Sequence, residues 1–138
     1  DMTIFYRKLA DFDPNLPAVD LVALVHDAFY APDPIPVALR ERYAAWAQAY
    51  GDRLRSENVD NAVRKARMNA VNPWFVLRNY LAQEAIELAQ QGDYRMLRDL
   101  DEALLTPYAE QSKYAHFFAK RPEWARHRAG ASMLSCSS

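Results

Sequence analysis

The chain has 138 residues, 51% of them apolar, with 17 Lys and Arg against 18 Asp and Glu, a net charge of −1 and one cysteine. That length suits a single domain able to bury roughly two-thirds of its unfolded surface. A near-neutral balance argues against nucleic acid or an anionic membrane as partner, and one cysteine excludes an internal disulfide framework or a thiolate metal site.

Arg7, Lys8, Asp11, Asp13, Asp20 and Asp27 rule out a signal peptide at the start. No apolar stretch is long enough to cross a bilayer. The opening Asp1-Met2, without an initiator at position 1, suggests a fragment of a longer protein.

Glycine is scarce, and the long stretches rich in Ala, Leu, Arg, Glu and Gln favour helices. The expected class is all-α, a bundle of about five to seven helices with an irregular C-terminal tail. A first helix is predicted over 2–10, with Ile4, Phe5 and Leu9 on its apolar face and Asp13-Pro14 after its end. A second covers 18–29, placing Leu21, Leu24, Val25 and Ala28 on one side. Ala31-Pro-Asp-Pro-Ile-Pro36 reads as a stiff connector, because each proline biases its predecessor away from the helical region. A long helix over 37–55 follows, striped by Leu39, Tyr43, Trp46 and Tyr50, and then one over 58–71 with Arg64, Lys65 and Arg67 on a basic face.

Asn72-Pro73 reads as a helix start, since Asn caps free amides and Pro is tolerated at the first helical position. That helix is expected to run to Gln91, with Trp74, Leu77, Leu81, Ala85 and Leu88 along one side. Gly92 stops it and Asp93 caps the next, over 94–105, which should bury Leu97, Leu100 and Leu104. Phe117, Phe118 and Trp124 are expected to pack a last short turn onto the bundle, and 126–138 to form a flexible tail.

Little of this carries chemistry. His26, His116 and His127 are scattered and form no metal-binding pair, so no metal site is expected. There is no glycine-rich phosphate loop and no GxSxG elbow. Cys136 with His127 makes a poor nucleophile–base pair on a tail. The basic groups Arg64-Lys65-x-Arg67 and Arg121, Arg126, His127, Arg128 read first as solvated faces, and second as docking sites for an acidic or phosphate-bearing partner. Tyr43, Trp46 and Tyr50 fit a core better than a ligand cage. Asp11/Asp13 and Asp99/Asp101/Glu102 fit a helix end and a solvent face better than acid–base carboxylates. For Cys136 two readings stay open: an incidental tail thiol, or a redox residue whose partner lies outside the chain.

One stretch is too particular for a generic helix: Met68-Asn-Ala-Val-Asn-Pro-Trp-Phe-Val-Leu-Arg-Asn-Tyr-Leu-Ala-Gln83. Taken with Ala85-Ile86, Gly92-Asp93-Tyr94, Pro107-Tyr108, Tyr114, Arg121-Pro122-Glu123-Trp124 and the terminal Ser135-Cys-Ser-Ser138, it resembles the C-terminal part of the selenoprotein O family, also called the YdiU family. Thr3-Ile-Phe-Tyr-Arg-Lys-Leu9 resembles the family segment just upstream. The resemblance covers nearly the whole chain; it is most specific over 72–83 and at the tail, and least over 31–57.

The resemblance implies a protein adenylyltransferase with a kinase-like part, which moves AMP from ATP onto Ser, Thr or Tyr hydroxyls of protein substrates. It implies that 1–138 is a single helical C-terminal domain supporting a kinase-like part upstream of residue 1. ATP and Mg would be held there, so no catalytic, cofactor-binding or metal-binding residue carries over to this chain. Cys136 stands where some eukaryotic members have selenocysteine, and the resemblance implies a redox role through pairing with a cysteine of the kinase-like part. A cytoplasmic location is implied for bacterial members and a mitochondrial one for eukaryotic relatives. One departure stands out: the family commonly has a basic residue after Asn-Pro, and here it is Trp74. The alternative of a different class is a freestanding helical protein-interaction module, for which the helix pair joined at Gly92-Asp93 is the motive.

Overall fold

A computed structural model describes residues 1–30, 35–128, 130 and 131. Among them the fold is all-α: six α-helices and three 3₁₀ segments, with no strand. A single domain over 1–138 is the sequence expectation; contacts divide the chain into two compact units, Asp1–Pro73 and Trp74–Ser138. Each unit has its own buried cluster.

In the first unit, α1 (Met2–Leu9) is capped by Asp1, whose carboxylate accepts from the Ile4 amide at 3.1 Å. Helix α2 (Ala18–Leu24) is shorter than expected. It tightens at Val25 into a 3₁₀ turn, His26–Ala28, which still satisfies the last carbonyls through bonds such as Ala28 N–H to Val25 O at 2.9 Å. The connector expected over 31–36 falls partly outside the described residues. Helix α3 (Val37–Glu57) ends at Asn58 with φ 50°, a left-handed stop that Asn tolerates. Asn58 therefore cannot begin the next helix, and α4 (Asn61–Val71) starts three residues later than expected. There Asp60 accepts from the Ala62 and Val63 amides at 2.9 and 3.1 Å.

Leu9, Phe12, Leu21, Val25, Ala47 and Leu54 form the core of this unit. An aromatic chain lies along it: Phe29–Tyr43, Phe5–Trp46, Trp46–Tyr50 and Phe12–Tyr50, with ring centroids 5.0 to 6.2 Å apart. Tyr43, Trp46 and Tyr50 thus join α3 to α1 and its neighbours. Two buried arginines cross-tie α1 and α4. Arg7 of α1 donates to the Asn69 and Asn72 carbonyls at 3.5 and 3.3 Å, and Arg64 of α4 donates to the Phe12 carbonyl.

The second unit corrects the clearest sequence expectation. No helix begins at Asn72-Pro73; Asn72 ends α4, and α5 (Asn79–Gln90) starts six residues after Pro73. Asn72 is extended, at φ −110° and ψ 111°, as a residue before proline prefers. Its side-chain amide donates back to the Met68 carbonyl at 2.8 Å. The Trp74 and Phe75 amides both donate to the Pro107 carbonyl at 2.9 Å, which holds this stretch out of helix while Phe75 is buried at 1% exposure.

Helix α5 closes as expected at Gly92, φ 84°. The Gly92 amide donates to Ala89 O at 3.0 Å and the Asp93 amide to Leu88 O at 2.9 Å, the two bonds of a Schellman stop. Helix α6 (Arg95–Leu105) follows, and Asp93 does accept the Arg95 amide, at 3.0 Å. No glycine ends α6. Instead Gln111 donates to the Ala103 and Thr106 carbonyls at 2.9 and 3.0 Å. Trp74, Phe75, Tyr80, Leu81, Ala85, Leu100, Ala103, Tyr114 and Phe117 form the core, joined by Ala125 and Ala131 from the end of the described chain. Trp74 is buried and stacks on Phe118 at 5.0 Å and 12°, so it serves packing here.

Candidate functional site

The charged groups singled out in the sequence are largely engaged within the fold. Lys65 pairs with Asp11 at 2.5 Å, and Arg64 is buried. Arg67 of that basic group is exposed. Asp13 accepts from the Asn15 amide at 2.9 Å and from the Asn61 side chain at 3.1 Å, and its carboxyl is held below the usual range chiefly by the Asn15 amide. These contacts make Asp11 and Asp13 fasteners of the loop after α1, not a catalytic pair. On α6, Glu102 pairs with Lys113 at 3.2 Å, while Asp99 and Asp101 border different hollows.

Hollows remain among the described residues, and three of them bear on the groups named above. One of about 410 Å³ lies between α2 and α3, lined by Val19, Val22, Ala23, Ile35 and Ala44 with His26 at its edge. A second, of about 510 Å³, combines polar residues with Leu81, Leu88, Met96 and Phe117. Tyr80, Glu84, Asp93, Arg95, Asp99 and His116 surround it. Burial raises the Glu84 carboxyl above its ordinary range, Glu87 adds to this, and Arg128 opposes it. Asp93 is lowered to about 2, first because the Arg95 side chain donates to it and then because the Arg95 amide does. Among the described residues, no group of three or more His, Cys, Asp or Glu converges as a metal site would require.

The third hollow, of about 290 Å³, is a groove along the α5–α6 pair. Its lining is apolar apart from Asp101. Leu97 and Leu104, expected in the core, line this groove instead. Met96, Leu100 and Ala103 take the inner positions of α6, and those three residues face the buried cluster. Periodicity alone could not separate the two faces, because α6 carries apolar residues on both.

Cys136 lies outside the described residues, and so do 129 and 132–138. The chain leading to them is fastened on α5. Arg128 pairs with Glu87 at 2.5 Å and covers the Trp124 ring, its guanidinium carbon 5.2 Å from the centroid. Gly130, at φ 82°, lies against Gln83: a Cβ at that position would come within 2.4 Å of the Gln83 Oε1. Ala131 is buried. Sequence reasoning missed this anchorage, because Glu87 and Arg128 are 41 positions apart.

Among the described residues no helix is long and apolar enough to cross a membrane. No family model matches the chain. Individual relatives do, among them protein nucleotidyltransferases. They carry the name YdiU: the chain is 50% identical over all 138 residues to the protein nucleotidyltransferase YdiU of Aromatoleum aromaticum, 49% to that of an Azoarcus species and 48% to that of Tolumonas auensis. The family resemblance read from the residues therefore holds along the full chain, which corresponds to a region of the YdiU proteins. The chain spans 26% of the length of these curated relatives.

Proposed function

We propose that this chain is the helical C-terminal domain of a protein adenylyltransferase, that its helices support a kinase-like part outside these residues, and that Cys136 is a redox-sensitive thiol of the whole protein. The observation that carries the reading is identity of 48–50% across all 138 residues to protein nucleotidyltransferases of which they make up 26%. The division of labour is what the family resemblance implies. The sequence has no glycine-rich phosphate loop, and among the described residues no three His, Cys, Asp or Glu converge. ATP and Mg²⁺ belong to the kinase-like part in this reading, and no step of AMP transfer is assigned to a residue here.

Adenylyl transfer joins the α-phosphorus of ATP to an acceptor hydroxyl oxygen and releases pyrophosphate. The full-length protein, given Mg²⁺ and an acceptor protein, is expected to incorporate label from α-labelled ATP and none from γ-labelled ATP. Incorporation from the γ position, or none from either, sinks the reading.

For Cys136, oxidation joins its thiol to a cysteine of the kinase-like part. Two electrons and two protons pass to a low-molecular-weight disulfide, which is reduced to two thiols. Cys136→Ser in the full-length protein is expected to abolish the dependence of AMP transfer on the thiol–disulfide poise. Dependence that survives the substitution removes Cys136 from this role. The alternative, a freestanding helical interaction module, draws on the exposed α5–α6 groove but leaves the length relation to the YdiU proteins unexplained.

A further inference from the structure

The α5–α6 pair exposes more apolar surface than its own unit uses. Leu77, Ile86, Leu97 and Leu104 are 47%, 52%, 49% and 37% exposed, and they converge on one groove floored by Ala82, Ala85 and Leu100. Small alanines at the floor with longer side chains at the rim make the hole into which a helix inserts apolar side chains. A contiguous apolar hollow of this kind marks an interaction surface, whereas single exposed leucines do not.

We propose that in the intact protein this groove is covered by an apolar helical segment of the same polypeptide lying outside these 138 residues; the proposal rests on the reading that the chain is one part of a YdiU-type protein. The chain makes up only 26% of the length of its relatives, so most of such a polypeptide remains to pack against it, and this selects that occupant.

The test is thiol accessibility in the full-length protein, in a Cys136→Ser background. Ile86→Cys and Leu97→Cys are made separately, so that one variant suffices if the other fails to fold. Glu123→Cys, whose side chain is 80% exposed, is the reference. Alkylation by a maleimide is followed peptide by peptide with mass spectrometry. Thiols at 86 and 97 are expected to react about ten-fold or more slowly than the thiol at 123, at rates independent of protein concentration, as a face covered within one molecule requires. Equal rates at the three positions overturn the proposal. Protection that fades on dilution also overturns it and assigns the face to a second copy. AMP transfer measured on the same preparations separates the two readings. Transfer with a freely labelled groove removes the docking proposal alone. A protected groove without transfer removes the adenylyltransferase reading and leaves the docking proposal standing.

Discussion

Arg64 donates from its guanidinium to the backbone carbonyl of Phe12, 52 positions away, inside the first unit. Its Nη1 also lies 3.7 Å from the Met68 sulfur. The residue that reads as the head of a basic patch is a tie between α4 and the loop after α1. A buried hydrogen bond from a charged donor is worth about 1.5–3 kcal/mol, so Arg64→Ala is expected to cost about 2 kcal/mol. Arg64→Met should cost less, because it keeps the packing of the aliphatic stem. Urea denaturation checks both; an unchanged midpoint for Arg64→Ala would show that the tie carries no stability.

Asn72 offers a sharper comparison, because a helix start and a helix end predict opposite behaviour from Asp. At a start, Asp accepts amides as well as Asn does. Here Asn72 donates to the Met68 carbonyl, and Asp has no proton to give. Asn72→Ala should cost about 1 kcal/mol, and Asn72→Asp should cost more than Asn72→Ala. If thermal unfolding shows Asp tolerated like Asn, the side chain is not holding the end of α4.

The two left-handed glycines of the second unit should respond unequally to alanine. At Gly92 nothing lies within 4 Å of an added Cβ, so Gly92→Ala meets only the left-handed strain, about 1 kcal/mol. At Gly130 the same strain is joined by collision with Gln83. Gly130→Ala should therefore destabilise more, by what it costs the Gln83 side chain to swing away from its 2.9 Å bond to Glu87, and adding Gln83→Ala should remove the collision but not the strain. Equal denaturation midpoints for the two single variants would show that the Gln83 side chain gives way without cost.

Acid should act on Asp93 in a defined window. Its carboxyl is lowered from 3.8 to about 2 by Arg95, so ionised Asp93 stabilises the fold fully above the ordinary carboxylate value. That contribution declines as pH falls from about 4 and is gone below about 2. The thermal midpoint of Asp93→Asn should lie below that of the parent at neutral pH and converge on it at the acid end of this window. A constant gap across the titration would assign the effect to something other than the charge.

What could be read from the sequence followed the range of the interactions. The all-α class, the Gly92 stop and the inward faces of α1 and α2 rest on neighbours within a few residues, and the structure has them as read. Asn72-Pro73 failed because the same dipeptide serves a helix start and a helix end. The choice between them was made by the Pro107 carbonyl, 33 and 32 positions from the amides of Trp74 and Phe75. Leu97 and Leu104 failed for a related reason: α6 is apolar on two sides, and only the packed unit shows which side its core takes. The family resemblance was legible because it rests on particular residues in order, whereas the anchorage of the chain end on Glu87 and Gln83 rests on distant pairs with no sequence signature.

The Pro107 carbonyl, taking both the Trp74 and Phe75 amides, ties the two open ends of the α5–α6 hairpin together. The covalent turn at Gly92 is then the second of two closures. Cutting the backbone there would leave one piece bearing Trp74, Phe75, Leu81 and Ala85 and another bearing Leu100, Ala103, Tyr114 and Phe117, each holding half of a shared core. A nicked second unit would stay assembled, and the two pieces, produced apart, would find each other and rebuild it by complementation.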